Sequence, residues 1–352
     1  MDHRGSWWVV SAFVTFCFLG GVNFLSGVIG KEAAAPSDAG KSNATVQLLV
    51  EGAVGVLAAA IVILKKGARA LTPDARATVA LMASGALFAV GILLITTALA
   101  SDFVMAPFIT GILPTNAIFL VVACRAFLGE RTTFLQLTAI AVAVVGLAVM
   151  AAANTSIQGL RGCLFGLITA ILFAAGNFLM KYASLRVTMD HLASTTLVWV
   201  AMGLVGLVFF CVETVINGML FKGLHELSTD WEGRSGGSSG RLYLFSLASA
   251  VLQVLGMATM KLTVCIGPSA PGMAISNANA IAVLALETIF FQPHVNAQQV
   301  AGLATTIIGI GVLSAAPTNN DIHTREEDGT APLNRPMMAS TIIDDQAQQP
   351  RV

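Results

Sequence analysis

Asparagine side chains within apolar segments are the clearest candidates for chemistry in this sequence. Asn116 follows Pro114, and Asn279 follows Pro268 and Pro271. Proline removes a helix hydrogen bond and frees a carbonyl group, so broken helices here would offer amide and carbonyl groups to a polar ligand. Alternatively, each Asn joins two helices by a hydrogen bond. The sequence leaves both interpretations open.

Four more amide side chains lie in apolar segments and are candidates for the same binding site. An unpaired polar group in lipid costs several kcal/mol, so a polar residue inside a membrane is a functional candidate by default. Small residues accompany the first of the four, and close helix packing would also explain it. The four are Asn23, Asn177, Gln253 and Asn277.

Two lysines, Lys181 and Lys261, lie near the predicted cytoplasmic ends of apolar segments. The simpler interpretation is snorkelling, in which the stem lies in lipid and the ammonium reaches the headgroups. The sharper hypothesis is that both face a central cavity. There a lysine would act as a point charge for a carboxylate or phosphate of the substrate.

Three glutamates, Glu51, Glu213 and Glu287, lie toward the predicted external ends of their segments. Each could attract a cation or carry a proton for ion coupling. Solvation at the membrane surface is the simpler explanation for any single one. Glu51 is the deepest of the three, so it is the strongest candidate for ion or proton coupling.

The composition places these residues in a lipid bilayer. Hydrophobic residues make up 56% of the chain and charged residues 11%, whereas soluble proteins carry roughly 25% charged residues. The net charge of zero gives no indication of nucleic-acid binding. Cysteines and histidines are scattered singly, and neither metal-ligand spacing nor enzyme motifs occur. We therefore expect no catalytic residues, no cofactor and no bound metal.

Ten apolar runs are long enough to cross a hydrocarbon core of about 30 Å. They should be helices, because lipid offers no partner for backbone N–H groups. The runs are Trp7–Ile29, Thr45–Leu64, Ala75–Leu99, Phe103–Cys124, Phe134–Ala152, Gly162–Tyr182, Ala193–Gly218, Leu242–Val264, Ile266–Phe291 and Gln298–Ala316.

The second half of the sequence repeats the first. Residues 112–153 align without a gap on residues 275–316, at a constant spacing of 163, and Asn116 falls on Asn279. An odd number of helices per half makes the second half enter the membrane from the opposite side. The predicted fold is an all-α membrane protein with ten transmembrane helices in two inverted five-helix repeats.

The repeats and the charges define the predicted domain organisation. Residues 1–6 form a cytoplasmic N-terminus, 7–153 the first five-helix repeat, and 154–316 the second, with an external loop at 219–241. The polar segment 317–352 is predicted to be a disordered cytoplasmic tail. Lysine and arginine are more frequent in the predicted cytoplasmic segments. The sequence does not resolve a plasma membrane from an internal one.

A motif between the fourth and fifth segments resembles the drug/metabolite transporter superfamily, in its EamA-like branch. Leu-Gly-Glu-Arg at 128–131 is followed by Gln136 and Gly146, as in that superfamily. In the second half Pro293 replaces the glutamate, while Gln299 is retained. The resemblance implies ten helices, both termini in the cytoplasm, and a central cavity that opens alternately to each side.

Members of this superfamily carry amino acids, nucleotide sugars, phosphorylated sugars and other metabolites, and the sugar-phosphate branch uses cavity lysines. The leading hypothesis is therefore a secondary transporter or facilitator of a small polar metabolite, acting by alternating access. Its expected partners are a small-molecule substrate and the lipid bilayer, with a homodimer as a further candidate.

Two other functions stay open. A divalent-cation transporter, as in the magnesium-transporter relatives of the superfamily, would need the three glutamates to converge on one pore with oxygen ligands. A membrane scaffold that transports nothing would use the charged tail to bind partners.

Overall fold

The structure is a computed structural model, and its described residues are almost entirely helical. They are 4–32, 36–72, 74–101, 106–128, 133–152, 157–187, 191–217, 238–266, 275–276, 279–291 and 296–315. The helices of eight or more residues, together with the short α4, are α1 (Arg4–Glu32), α2 (Pro36–Lys66), α3 (Ala75–Ser101), α4 (Ala106–Ile112), α5 (Asn116–Leu128), α6 (Phe134–Ala152), α7 (Ile157–Arg186), α8 (His191–Asn217), α9 (Ser238–Ile266), α10 (Ala280–Phe291) and α11 (Ala297–Ala315).

Seven helical segments in the described part of the chain are long and apolar enough to cross a membrane. Two shorter apolar helices, Leu137–Gly146 and Val300–Gly309, accompany them. The prediction of an all-α membrane protein is confirmed at this level. The seven segments are Val10–Lys31, Lys41–Lys66, Ala75–Ala100, Ile109–Phe127, Arg161–Arg186, His191–Val212 and Leu244–Thr263.

The distribution of side chains between the inside and the surface fits a lipid environment. Large apolar residues face outward, and Leu64 is 85% exposed. Polar residues such as Ser84, Thr169 and Asn116 are buried between helices. Lipid accommodates apolar side chains but offers no partners to hydrogen-bonding groups. A protein in a bilayer is therefore expected to have an apolar surface and polar residues inside, the reverse of a soluble protein.

The long helices pack mainly in antiparallel pairs. In one pair, α3 with α7, the Ser84 hydroxyl donates to the Gly176 carbonyl over 2.9 Å, while Gly91 lies against Phe173. Residue numbers thus rise on one helix as they fall on the other. The other extensive pairs are α1 with α9, α2 with α8, and α6 with α11.

A 3₁₀ turn separates α4 from α5. It covers Leu113–Thr115 and contains Pro114, whose missing N–H and fixed φ interrupt the α-helical hydrogen bonds. The break predicted before Asn116 is confirmed, and Asn116 becomes the first residue of α5. The break predicted at Pro268 and Pro271 lies outside the described residues.

The predicted external loop at 219–241 is partly wrong. Residues 238–241 are helical, because α9 begins at Ser238 and not at the first apolar residue. Serine is well tolerated where the first N–H groups of a helix lack helical partners, so the polar run continues into the first turn of α9. Residues 218–237 and the predicted disordered tail at 317–352 lie outside the described residues.

Candidate functional site

A small cavity lies among helices of both halves of the chain. Its volume is about 30 Å³, which is room for roughly two water molecules. Amide side chains and apolar residues share its wall, so it is a mixed polar pocket inside a bundle of apolar helices. The lining residues are Leu19, Val22, Asn23, Gln47, Ile92, Ile95, Thr96, Leu113, Phe173, Gln253, Met257, Met260 and Asn279.

Two of the predicted asparagines meet at this cavity. The Asn23 Nδ2 atom donates to Asn279 Oδ1 over 3.3 Å, and both side chains are buried. The contact is possible because Gly20 has no side chain: a Cβ atom there would lie 2.7 Å from the Cβ of Ala282. The glycine thus lets α1 and α10 approach, and the amide pair joins the two halves of the chain at the cavity.

The other two repeat-related asparagines, Asn116 and Asn177, are also buried but do not line the cavity. Neither the Nδ2 nor the Oδ1 atom of Asn177 has a hydrogen-bond partner among the described residues. An amide left in this state loses its hydration without compensation. Of the other predicted amides, Gln253 lines the cavity, and Asn277 lies outside the described residues.

The lysines differ from the simple expectation. Lys261 is only 3% exposed, so its side chain is enclosed by protein, and snorkelling to the headgroups does not describe it. Lys181 is half-buried, and its Nζ atom lies 3.8 Å from the Sγ atom of Cys124 as a hydrogen-bond donor. Neither lysine lines the cavity.

Two of the three glutamates are enclosed by protein. Glu51 and Glu287 are both buried, contrary to the expectation of interfacial solvation. Lys31 acts electrostatically on Glu287 and also stacks its Nζ atom 3.8 Å from the ring centre of Phe291. The side chain of Glu213 lies outside the described residues.

The described part of the chain gives no support to a divalent-cation site formed by several acidic residues. Groups of three or more His, Cys, Asp or Glu residues that could hold a metal ion are absent there. Divalent ions need several oxygen ligands around one point.

One cavity residue, Gln47, was missed by the sequence analysis. It is fully buried, and its Nε2 atom donates to the Ser249 hydroxyl over 2.7 Å. A signal existed, because Asn43, Gln47 and Glu51 follow one another at four-residue intervals. Residues four apart lie on one face of a helix, and a polar face in an apolar helix points into the protein.

Two aromatic pairs include the residues that directly follow Asn23 and Asn177 in the sequence. The Phe24 and Phe290 ring centres are 5.7 Å apart, joining α1 to α10. The Phe127 and Phe178 ring centres are 5.6 Å apart, joining α5 to α7. Aromatic contacts of this length are favourable beyond the area they bury, and they hold these helices together.

No protein-family model and no curated protein matches this sequence. Among solved structures, 27 chains match it by fold. One of them, described as a crystal structure of a protein, is similar with a TM-score of 0.53 and 15% sequence identity. The match covers 86% of this chain and 97% of the other. At that identity the likeness is one of fold alone.

Proposed function

We propose that this protein is a secondary transporter or facilitator that moves a small polar metabolite across a membrane by alternating access. The proposal includes the resemblance to the drug/metabolite transporter superfamily. It also includes ten spans in two inverted repeats. The seven long segments, the two short apolar helices and α10 would be these ten spans. Both termini would then lie in the cytoplasm.

Helix contacts support the repeat. In the pair of α6 with α11, Gly146 lies against Thr306, and Gly309 lies against Ala143. The spacing of 163 that aligns the two halves of the sequence carries Gly146 to Gly309 and Ala143 to Thr306. Exchanging the two halves therefore exchanges one contact for the other, as a two-fold axis between repeats requires.

A second helix pair behaves in the same way. In the pair of α2 with α8, Gly55 lies against Trp199 and Gly206 lies against Leu48. A spacing of 151 carries Leu48 to Trp199 and Gly55 to Gly206. Exchanging the two halves of the chain therefore maps the contacts of each helix pair onto contacts of the same pair.

The cavity wall follows the same pattern. Leu19 and Phe173 differ by 154 positions, the spacing that also relates Asn23 to Asn177. Ile92 with Met257, and Ile95 with Met260, each differ by 165, the spacing that also carries the contact of Gly91 with Phe173 to that of Gly256 with Leu19. Three pairs of equivalent residues therefore face one pocket, which supports a substrate site on the axis between repeats.

The observation that carries the proposal is the buried Asn23–Asn279 pair at this cavity. Amides donate and accept hydrogen bonds, so separating this pair would free both groups for a polar ligand. In the present conformation the pocket, at about 30 Å³, is too small for a metabolite. Opening toward either side would require the helices around it to move, as in alternating access.

Uptake into sealed proteoliposomes tests the proposal. The probes are labelled amino acids, a hexose phosphate and a nucleotide sugar, each measured with and without ion gradients. We expect at least one to accumulate, and Asn279→Ala to reduce its uptake. Thr138→Ala, an exposed position on α6, is the matched control and should transport normally. Failure of all probes under all gradients would contradict the proposal.

A further inference from the structure

One face of α2 carries three buried polar side chains in a row. Asn43, Gln47 and Glu51 are spaced by four residues, and none is more than 1% exposed. This face meets two other helices. The Asn43 Nδ2 atom donates to Ser26 Oγ over 3.1 Å on α1, and Gln47 Nε2 donates to Ser249 Oγ on α9.

Each of these bonds uses one N–H of an amide nitrogen, and neither amide oxygen takes part in it. The Ser26 hydroxyl already donates to the Val22 carbonyl, so it must accept from Asn43, which fixes that amide's orientation. Among the described residues, no hydrogen-bond partner reaches Asn43 Oδ1, Gln47 Oε1 or either carboxylate oxygen of Glu51. Buried acceptors normally have a donor or a cation as partner. We therefore expect a donor or a cation beside these oxygen atoms.

The helices packed against α2 bring no counter-charge to Glu51. α2 packs against α1, α3, α8 and α9, and α1 runs antiparallel to both α2 and α9. Glu51 is therefore about level with Gln253 on α9, and its neighbour Gly52 meets Gly203 on α8. The charged or titratable residues of these four helices are Arg4, Cys17, Lys31, Glu32, Arg76, His191, Cys211, Glu213, Arg241, Tyr243, Lys261 and Cys265.

Nearly all of these residues lie far from the level of Glu51 along the helix axes. The basic residue closest to that level is Lys261, eight residues beyond Gln253, or about 12 Å along the axis. Cys17 is nearer in level but is exposed on the outer surface. Within the described residues Glu51 has neither a hydrogen bond nor an ion pair. An ionised carboxylate there would be strongly unfavourable without a compensating charge.

Packing does not require a carboxyl group at this position. The spacing of 151 that relates α2 to α8 carries Glu51 to Met202, which is fully buried in the equivalent place. Methionine fills that place in one half with an apolar side chain of similar length. The carboxyl group in the other half therefore serves something other than the fold.

We infer that Glu51, together with Gln47 Oε1, binds one monovalent cation, either a proton or a sodium ion. The role of this cation as the coupling ion depends on the proposed transport function. Hard oxygen acceptors suit both ions, whereas a divalent ion would need more carboxylates than this face supplies. Gln47 also lines the cavity. Binding of the cation would therefore act on a side chain that lines the substrate pocket.

Infrared difference spectroscopy of the full-length protein in lipid tests the inference. We expect the wild type to give carboxyl bands that change with pH or with the exchange of choline chloride for sodium chloride. Glu51→Gln should lose one of these bands, and Glu287→Gln, which replaces another buried glutamate, should retain that band. A response to sodium identifies a sodium site, and a response to pH alone identifies a proton site. Identical responses from wild type and Glu51→Gln would overturn the inference.

A second variant and a second assay keep the two proposals separate. Glu51→Met, which copies the residue of the other half, replaces Glu51→Gln if the latter does not fold. Substrate counterflow needs no ion gradient, so a cation-site variant should keep counterflow and lose gradient-driven uptake. Spectra that depend on Glu51 without any uptake by the wild type would reject transport alone. Gradient-driven uptake equal in wild type and variant, with identical spectra, would reject the cation site alone.

Discussion

Gly52 on α2 and Gly203 on α8 meet at the crossing of their helices with no side chain between the two backbones. A Cβ atom on Gly52 would lie 2.5 Å from the Cα atom of Gly203. Close approach of this kind is what small residues provide between membrane helices, where dispersion contacts replace the hydrophobic effect. The crossing therefore depends on glycine at both positions.

Replacing Gly203 with leucine should destabilise the protein, because the added side chain forces α2 and α8 apart. We expect a loss of about 1–3 kcal/mol in the free energy of unfolding, measured by thermal and denaturant unfolding in detergent. Gly311→Ala is the control, since a Cβ atom there would meet nothing within 4 Å. Equal stability of the two variants would contradict the close crossing.

The amide pair at the cavity should behave as a coupled unit. Asn23→Ala or Asn279→Ala should each cost about 0.5–2 kcal/mol of unfolding free energy, the range for hydrogen bonds between membrane helices. The second replacement should cost less once the first has been made, because the bond is already lost. A double-mutant cycle measures this coupling, and strictly additive losses would show that the two amides do not interact.

Replacing Asn177, unlike replacing Asn23, should reduce transport without reducing stability. Its amide has no hydrogen-bond partner among the described residues, so Asn177→Leu removes an uncompensated polar group from the interior. We expect the unfolding free energy to stay constant or rise by up to about 1–3 kcal/mol, while uptake falls. Asn23→Leu is the comparison and should lose both. A loss of stability in Asn177→Leu equal to that in Asn23→Leu would contradict this difference.

The two ends of the chain should be accessible from the same side of the membrane, because the ten proposed spans would return the chain to its starting side. Epitope tags at each terminus, probed with antibody in sealed and in permeabilised cells, measure this directly. We expect both tags to stay hidden until the membrane is opened. Detection of one tag alone in sealed cells would contradict the ten-span arrangement.

Sequence periodicity and composition predicted much of the helical framework. Segments such as Phe134–Ala152 have the same limits in the structure, because long apolar runs in lipid have few alternatives to helix. The helix ends were less predictable. α7 begins at Ile157, five residues before the predicted start, since polar residues at the membrane surface can continue a helix as readily as end it.

The candidate site was only partly predictable. Asn23, Gln253 and Asn279 line the cavity, because an amide in an apolar helix must face other protein groups. The burial of Glu51 and Lys261 was not expected. Depth along a helix can be estimated from sequence, but whether a charged side chain faces lipid, water or protein depends on which neighbour packs against it.

The two aromatic contacts, Phe24 with Phe290 and Phe127 with Phe178, have nearly equal ring separations of 5.7 Å and 5.6 Å. The spacings of 154 and 163 carry Phe24 to Phe178 and Phe127 to Phe290, so exchanging the halves exchanges the two contacts. In the proposed cycle, a resting preference for one orientation would then come from what differs beside the rings. Phe291, Lys31 and Glu287 lie at one end, and Lys181 with Cys124 at the other. Exchanging those polar neighbours is a route to a transporter biased toward the opposite direction.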